Sequence, residues 1–341
     1  MDSEEISFFF PLIKPWRVEH FPLLEREFDL LKEMSEVKLE SDFDSDRVEI
    51  EFSEVETRSD IESVISAAEW STWPGISWGY DSYARVTFRA IYPGDEVFRS
   101  KIDHLPENMN LREIWCHLLK SHAETELFVI QLASHLAYPG GAISGAAICE
   151  VDGRLSISKG RYSPIGDSYE CAMELGKPQL DRIPLAVVWT WLAKRNGLRF
   201  GGVGDAPAAK ALCYLTHVFD ESFHDRRFLG AVWACAGLEA FYGEDQSARA
   251  AQLSQKVPAF LGVDEDVCRK DVQAIYKVRS SIIHGNKAIS SAIAGDDGMP
   301  DKHRDEEYDA MNFGIYYLNE TIRACIVRDI DAAKFSTVYQ G

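Results

Sequence analysis

Ile275-Tyr276-Lys277-Val278-Arg279-Ser280-Ser281-Ile282-Ile283-His284-Gly285 reads as the closing turns of a helix, because apolar residues recur at steps of three and four and a glycine ends the run. The stripe starts upstream, after Asp264, with Cys268 and Val272 and continues through Ile275, Arg279 and Ile282. A guanidinium on an apolar stripe is costly unless a carboxylate pairs with it or its face meets a polar cleft. Glu239 is the intrachain candidate, since it lies in step with Phe228, Val232 and Cys235 on an earlier helical segment.

Working outward, the sequence around this helix is helical on both sides. Asp205 and Pro207 open a segment with Ala208, Leu212, Leu215 and Phe219 on one face. Asp225 precedes the stripe of Phe228, Val232, Cys235 and Tyr242, with Gly243 as the stop. A shorter helix from Ser247 is expected to be disturbed by Pro258. Beyond an Asp-rich loop, Tyr308, Met311, Ile315, Leu318, Ile322 and Cys325 alternate in steps of three and four. Residues 205–330 are therefore expected to form an all-α bundle of four or five helices.

Residues 1–200 read differently, as an α+β domain. Val48, Ile50 and Phe52 alternate with acids, and Ala84, Val86, Phe88, Ala90 and Tyr92 alternate with Arg85, Thr87 and Arg89, which is the period of half-exposed strands. Trp70, Trp73, Pro74 and Gly75 mark a turn-rich connection. Residues 111–138 have helical spacing and stop at Pro139-Gly140-Gly141, while Asp152-Gly153 sits between two short alternating runs as a hairpin turn. A helix over residues 185–195 ends this part, and Gly201, Gly202 and Gly204 form the boundary loop.

Length and charge narrow the function. A chain of 341 residues with 46% hydrophobic and 27% charged residues is globular and of two-module size, and no apolar run reaches membrane-spanning length. The acids Asp2, Glu4 and Glu5 stand where a secretory leader would need basic residues, so a cytoplasmic location is expected. Seven cysteines without a Cys-x-x-Cys pair suggest reduced core residues and no zinc knuckle. The net charge of −19 argues against a broad grip on nucleic acid, and residues 1–66 hold much of it, with 19 acids against 7 Lys and Arg. A local phosphate-handling site is not excluded by that balance.

The string Tyr276-x-x-Arg279-Ser280-x-x-x-His284-Gly285 at a helix end, with the Leu238-Glu239-Ala240 helix before it, resembles the HEPN superfamily and its Apea-like branch over residues 206–326. That resemblance implies an α+β sensor or regulatory domain followed by a HEPN helical bundle. It further implies a metal-independent endoribonuclease with Arg279 and His284 as catalytic residues and Ser280 and Glu239 in support, without a cofactor or metal. RNA would be the substrate, a homodimer would form through the C-terminal bundle, and the setting would be prokaryotic anti-phage defence with a phage-derived trigger at the N-terminal domain. The position after the arginine is often Asn, Asp or His in that superfamily, and Ser280 cannot titrate near neutrality. The alternative within the same resemblance is a non-catalytic dimerisation or scaffold protein, in which Arg279 pairs with Glu239 and His284 caps the helix.

The residue types suit the chemistry. Imidazole is the side chain that transfers protons near pH 7, and a planar guanidinium binds the charge that builds on phosphate oxygens. Residues five apart on a helix are rotated by about 140° and separated by about 7.5 Å in rise, so a paired dimer would focus both groups on one phosphate more easily than a single chain. Arg-x4-His recurs at Arg99 to His104 and at Arg112 to His117, but neither sits at a helix end. Pro139-Gly140-Gly141 with Ser144-Gly145 lacks the ending of a P-loop, and His117 and His122 are too far apart for one helical face.

Overall fold

The computed structural model describes residues 3–11, 30, 32–37, 39–43, 46–56, 59–61, 82–102, 109–139, 147–158, 165–178, 181–195, 204–218, 227–243, 249–286 and 301–335. Its strands are β1 (Ser3–Pro11), β2 (Leu39–Phe43), β3 (Asp46–Glu56), β4 (Ser82–Ile91), β5 (Ala147–Val151) and β6 (Arg154–Ser158). Its labelled helices are α1 (Asp95–Lys101), α2 (Leu111–Ala137), α3 (Ile165–Glu174), α4 (Leu185–Ala193), α5 (Pro207–Val218), α6 (Arg227–Tyr242), α7 (Arg249–Leu261), α8 (Glu265–Ile283) and α9 (Asp301–Arg328). Two compact units result, residues 1–131 with 143–160 and residues 132–142 with 161–341. The boundary thus falls earlier than residue 200: α3 and α4, expected with the N-terminal domain, pack in the helical unit. No described helix is long and apolar enough to cross a membrane.

The first unit is an antiparallel sheet in the order β2-β3-β4-β1-β5-β6. Alternation does what the pattern requires: Ile6, Phe8, Val86, Phe88, Val48 and Ile50 are buried. Trp115 of α2 packs edge-on against Phe43 and Tyr92, and His122 donates or accepts a 2.9 Å hydrogen bond with Ser41. Burying an aromatic such as Trp115 stabilises the fold by about 2–3 kcal/mol. Alternating positions on the sheet carry polar side chains, where Arg85 and Arg89 bind Glu5 and Arg89 also binds Glu51. Glu4 is held by Arg112 and Glu40 by Arg47, so part of the acidity of residues 1–66 is matched within this unit. The hairpin at Asp152-Gly153 is present, with φ of 49° and 70°, the left-handed pair that a two-residue turn demands. Trp70, Trp73, Pro74, Gly75 and Gly140 lie outside the described residues.

The second unit is helical. α9 was expected to be amphipathic, yet every residue from 310 to 326 is buried, so it is the central rod of the bundle. α6 crosses it at close range: an added Cβ on Gly237 would lie 2.7 Å from Leu318, one on Gly230 2.9 Å from Met311, and one on Gly314 2.9 Å from Ala234. Pro258 does not end its helix. It lies inside α7, where it removes a single N–H, and its carbonyl accepts the closing bonds from Gly262 and Val263 while Leu253, Val257 and Phe260 anchor the helix in the core.

Burial of polar groups in this unit is extensive. Glu320 accepts the Tyr169 hydroxyl proton and lies 3.4 Å from Arg323, whose Nη2 donates to the Asp181 carbonyl at 2.5 Å. Asn319 donates to the Tyr169 oxygen at 2.9 Å and lies 3.5 Å from the His135 carbonyl. Desolvation holds the His135 imidazole neutral and lowers its pKa to about 3. Between pH 6.5 and 3 the unfolded chain binds a proton that the folded chain refuses, so stability falls as pH falls below 6.5, by about 1.4 kcal/mol per pH unit. Thermal melts at pH 7 and pH 5 should show that loss, and a His135→Gln variant should show a shallower pH dependence over the same interval.

Candidate functional site

α8 is set in register by its N-cap, where the Asp264 side chain accepts the Val267 N–H at 2.9 Å and Glu265 and Asp266 meet the positive end of the helix. Cys268, Val272, Ile275 and Val278 are buried against neighbouring helices. The last turn emerges at the surface: Ser280, Ser281 and Ile282 are half-buried, and Ile283 is 55% exposed. Arg279 therefore continues the stripe without being sunk in the core, its side chain being 23% exposed.

The expected intrachain partner is in place. Glu239 of α6, 8% exposed at its side chain, presents Oε2 at 3.5 Å from Nη2 of Arg279. The same oxygen accepts a 3.1 Å hydrogen bond from Nη1 of Arg249, the first residue of α7. Two guanidiniums thus share one carboxylate oxygen, and Oε1 is buried without a hydrogen-bond partner among the described residues. The Arg279 guanidinium also stands 5.7 Å from the centre of the Tyr276 ring. Beneath this cluster, burial first and the Glu239 charge second push the Cys235 thiol up to about 12, against the pull of Arg279 and Arg249. Cys235 stays protonated and is no nucleophile.

The end of α8 is closed by backbone alone. His284 is the C-cap, with φ of −92° and ψ of 5°, and its N–H donates to the Ser280 carbonyl at 3.0 Å. Gly285 adopts φ of 67° and donates to Ile282 at 3.1 Å, and Asn286 donates to Ser281 at 2.8 Å, which is the Schellman closure. The terminal carbonyls of residues 281 and 282 are satisfied in this way, by backbone and not by the imidazole. It is exposed and makes no hydrogen bond with a described residue. Ser280 is half-buried, and the hydroxyl that binds back to the helix is that of Ser281, on the Lys277 carbonyl at 2.7 Å.

The remaining candidates resolve as follows. Arg112 and His117 line a cleft of about 600 Å³ in the sheet unit together with Lys120, Asp152 and Arg154, and Arg112 is tied there to Glu4 at 2.7 Å. The His122 ring lies 5.1 Å from that of Phe43 and is tilted by 35° against it. Arg99 is exposed on α1, whereas His104 and the glycines of residues 140–145 lie outside the described residues. Among the described residues no group of three His, Cys, Asp or Glu is placed to hold a metal. Cys149, Cys235, Cys268 and Cys325 are buried, and Cys116, Cys171 and Cys213 are half-buried. Arg249 went unnoticed in the sequence because nothing local marks it; only the packing of α7 on α8 and α6 brings it to Glu239.

Comparison of the chain with models of protein families, with curated proteins and with solved structures finds no match. The geometry of the cluster makes its own prediction. Glu239→Gln leaves two guanidiniums facing each other and should destabilise the protein more than Arg279→Gln does. A double-mutant cycle on denaturant midpoints should return a coupling of about 1 kcal/mol, the range for a partly exposed pair.

Proposed function

We propose that the chain is a HEPN-type endoribonuclease that needs no metal, acts as a homodimer through its helical unit, and serves as a toxin-like effector in prokaryotic anti-phage defence. The observation that carries this reading is the closure at Gly285 and Asn286, which leaves at a helix end an exposed imidazole that makes no hydrogen bond among the described residues, five residues from a half-exposed arginine. The 2′-oxygen of RNA attacks the adjacent phosphorus while His284 takes its proton, the P–O5′ bond breaks, and a second acid returns a proton to the leaving oxygen. In a dimer the equivalent imidazole of the second copy supplies that proton, and where only one imidazole is present water supplies it more slowly. Arg279 binds the non-bridging oxygens, whose charge grows toward the transition state. The products are a 2′,3′-cyclic phosphate and a 5′-hydroxyl. The sheet unit senses the trigger in this reading, and Ser280 contributes polarity beside the arginine without titrating.

One observation favours a second reading, a non-catalytic dimerisation or scaffold protein: Glu239 already pairs with Arg279 inside the chain. RNA cleavage separates the two. Purified protein in EDTA should cut total RNA to products with cyclic phosphate ends, and His284→Ala should abolish cutting with a thermal midpoint close to wild type. Mixing His284→Ala chains with Arg279→Ala chains should restore part of the activity, because a heterodimer carries one intact copy of each residue. Intact RNA with the wild-type protein would leave the scaffold reading, and wild-type cleavage by His284→Ala would remove His284 from the reaction.

A further inference from the structure

We infer that Arg249 is a second phosphate-binding residue of this site, that it grips the RNA backbone next to Arg279, and that Glu239 is the counter-ion holding both guanidiniums in place while the site is empty. The inference rests on the ribonuclease reading and extends it to a residue outside the Arg-x4-His string.

Three observations carry it. First, two cations share one anion: Arg249 and Arg279 converge on the single oxygen Glu239 Oε2, at 3.1 and 3.5 Å, so among the described residues these three groups sum to one positive charge, on a chain of net charge −19. A purely structural ion pair needs one cation per carboxylate. A second cation is an electrostatic cost in the empty protein and a gain once an anion arrives.

Second, most of the donors are unspent among the described residues. A guanidinium has five N–H donors. Among the described residues Arg249 makes one side-chain hydrogen bond, to Glu239, and Arg279 makes only the looser 3.5 Å approach to the same oxygen. Third, access is right for a polymer backbone. The Arg249 and Arg279 side chains are 36% and 23% exposed, while the carboxylate beneath them is 8% exposed. Solvent therefore meets the cations before the acid. A nucleic-acid backbone approaching from that side offers successive phosphodiesters, one for the fork of each arginine.

The roles then divide. Arg279, on the helix that ends in His284, faces the phosphate that reacts, and Arg249, on a separate helix, holds a neighbouring phosphate and fixes the strand. Arg249 acts through binding and Glu239 is a positioning residue.

The test uses the full chain and a fluorescent 2′-O-methyl RNA oligonucleotide, which lacks the attacking hydroxyl and is bound without being cut. Anisotropy titrations are run from about 0.05 to 0.3 M KCl, beside KM measurements on cleavable RNA. Arg249→Gln should weaken binding by about tenfold, the worth of one charge-assisted contact, and should raise KM. Its plot of log affinity against log salt should be shallower by roughly 0.7, because one phosphate contact fewer releases fewer counterions from a single strand. Arg249→Lys should retain the slope and lose part of the affinity, and Glu239→Gln should tighten binding, the opposite sign to Arg249→Gln. A purely structural role predicts instead that Arg249→Gln and Glu239→Gln leave RNA affinity and the salt slope at their wild-type values, whatever they do to the thermal midpoint. Wild-type protein that binds and cleaves RNA, with Arg249→Gln matching it in affinity, slope and KM, would overturn this assignment and leave the ribonuclease reading intact. Wild-type protein that neither binds the oligonucleotide nor cuts RNA would overturn both.

Discussion

A guanidinium with no exposure, that of Arg323, is the constraint around which the helical unit is arranged. Its desolvation is offset by Glu320 at 3.4 Å and by the Asp181 carbonyl, which accepts a hydrogen bond from Nη2. Glu320 is itself buried and relies on the Tyr169 hydroxyl, and Asn319 binds the same Tyr169 oxygen. Glu320 and Arg323 meet within α9, and α3 and the segment before α4 add the Tyr169 hydroxyl and the Asp181 carbonyl to that pair. Such a network makes the unit cooperative: loss of one member exposes the desolvation cost of the others. The glycine contacts of α6 with α9 have the same consequence for packing, because helices that approach within the width of one Cβ tolerate little sliding.

That rigidity is what the candidate site stands on. Glu239 lies on α6, held against α9 at Gly237, and Arg279 lies on α8, which packs on both helices. Arg249 comes from α7, tied to the core by Leu253, Val257 and Phe260. The side chains with charge sit at the half-exposed margin of a tightly determined interior, while His284 lies one step beyond it, on backbone fixed by the bonds of Gly285 and Asn286. Precision of placement and freedom to meet a ligand coexist within one helical turn.

What could be read from the sequence follows from what is local. The strand alternation at Val48, Ile50 and Phe52, the Asp152-Gly153 turn, the Asp264 cap and the glycine at 285 all act through neighbours in the chain, and each is present in the fold. The Glu239–Arg279 pair was also legible, because a charge on an apolar stripe demands a partner and few carboxylates are placed to supply one. Arg249 was not, since no spacing rule connects it with residues 239 and 279. The central role of α9 was hidden for a related reason: Asn312, Asn319, Glu320, Thr321 and Arg323 interrupt its apolar pattern and mimic a solvent face, though each is buried. Hydrophobic periodicity cannot distinguish a polar residue facing water from one satisfied inside the core. Pro258 misled in the same way, because local propensity marks the cost of the missing N–H and not the tertiary packing that outweighs it.

The position of the central rod along the chain has a consequence for biosynthesis. α9 ends at Arg328, so the elements that flank it, from α3 through α8, leave the ribosome before the helix that compensates their buried polar groups and fills the space between them. The residues of the sheet unit all precede position 161, so they leave the ribosome ahead of most of the helical unit. The helical unit must wait, with Arg279 and His284 already synthesised but lacking their fixed framework. Arg279 and His284 take up their fixed positions only once α9 has been made, so the geometry of the candidate site follows the synthesis of that helix.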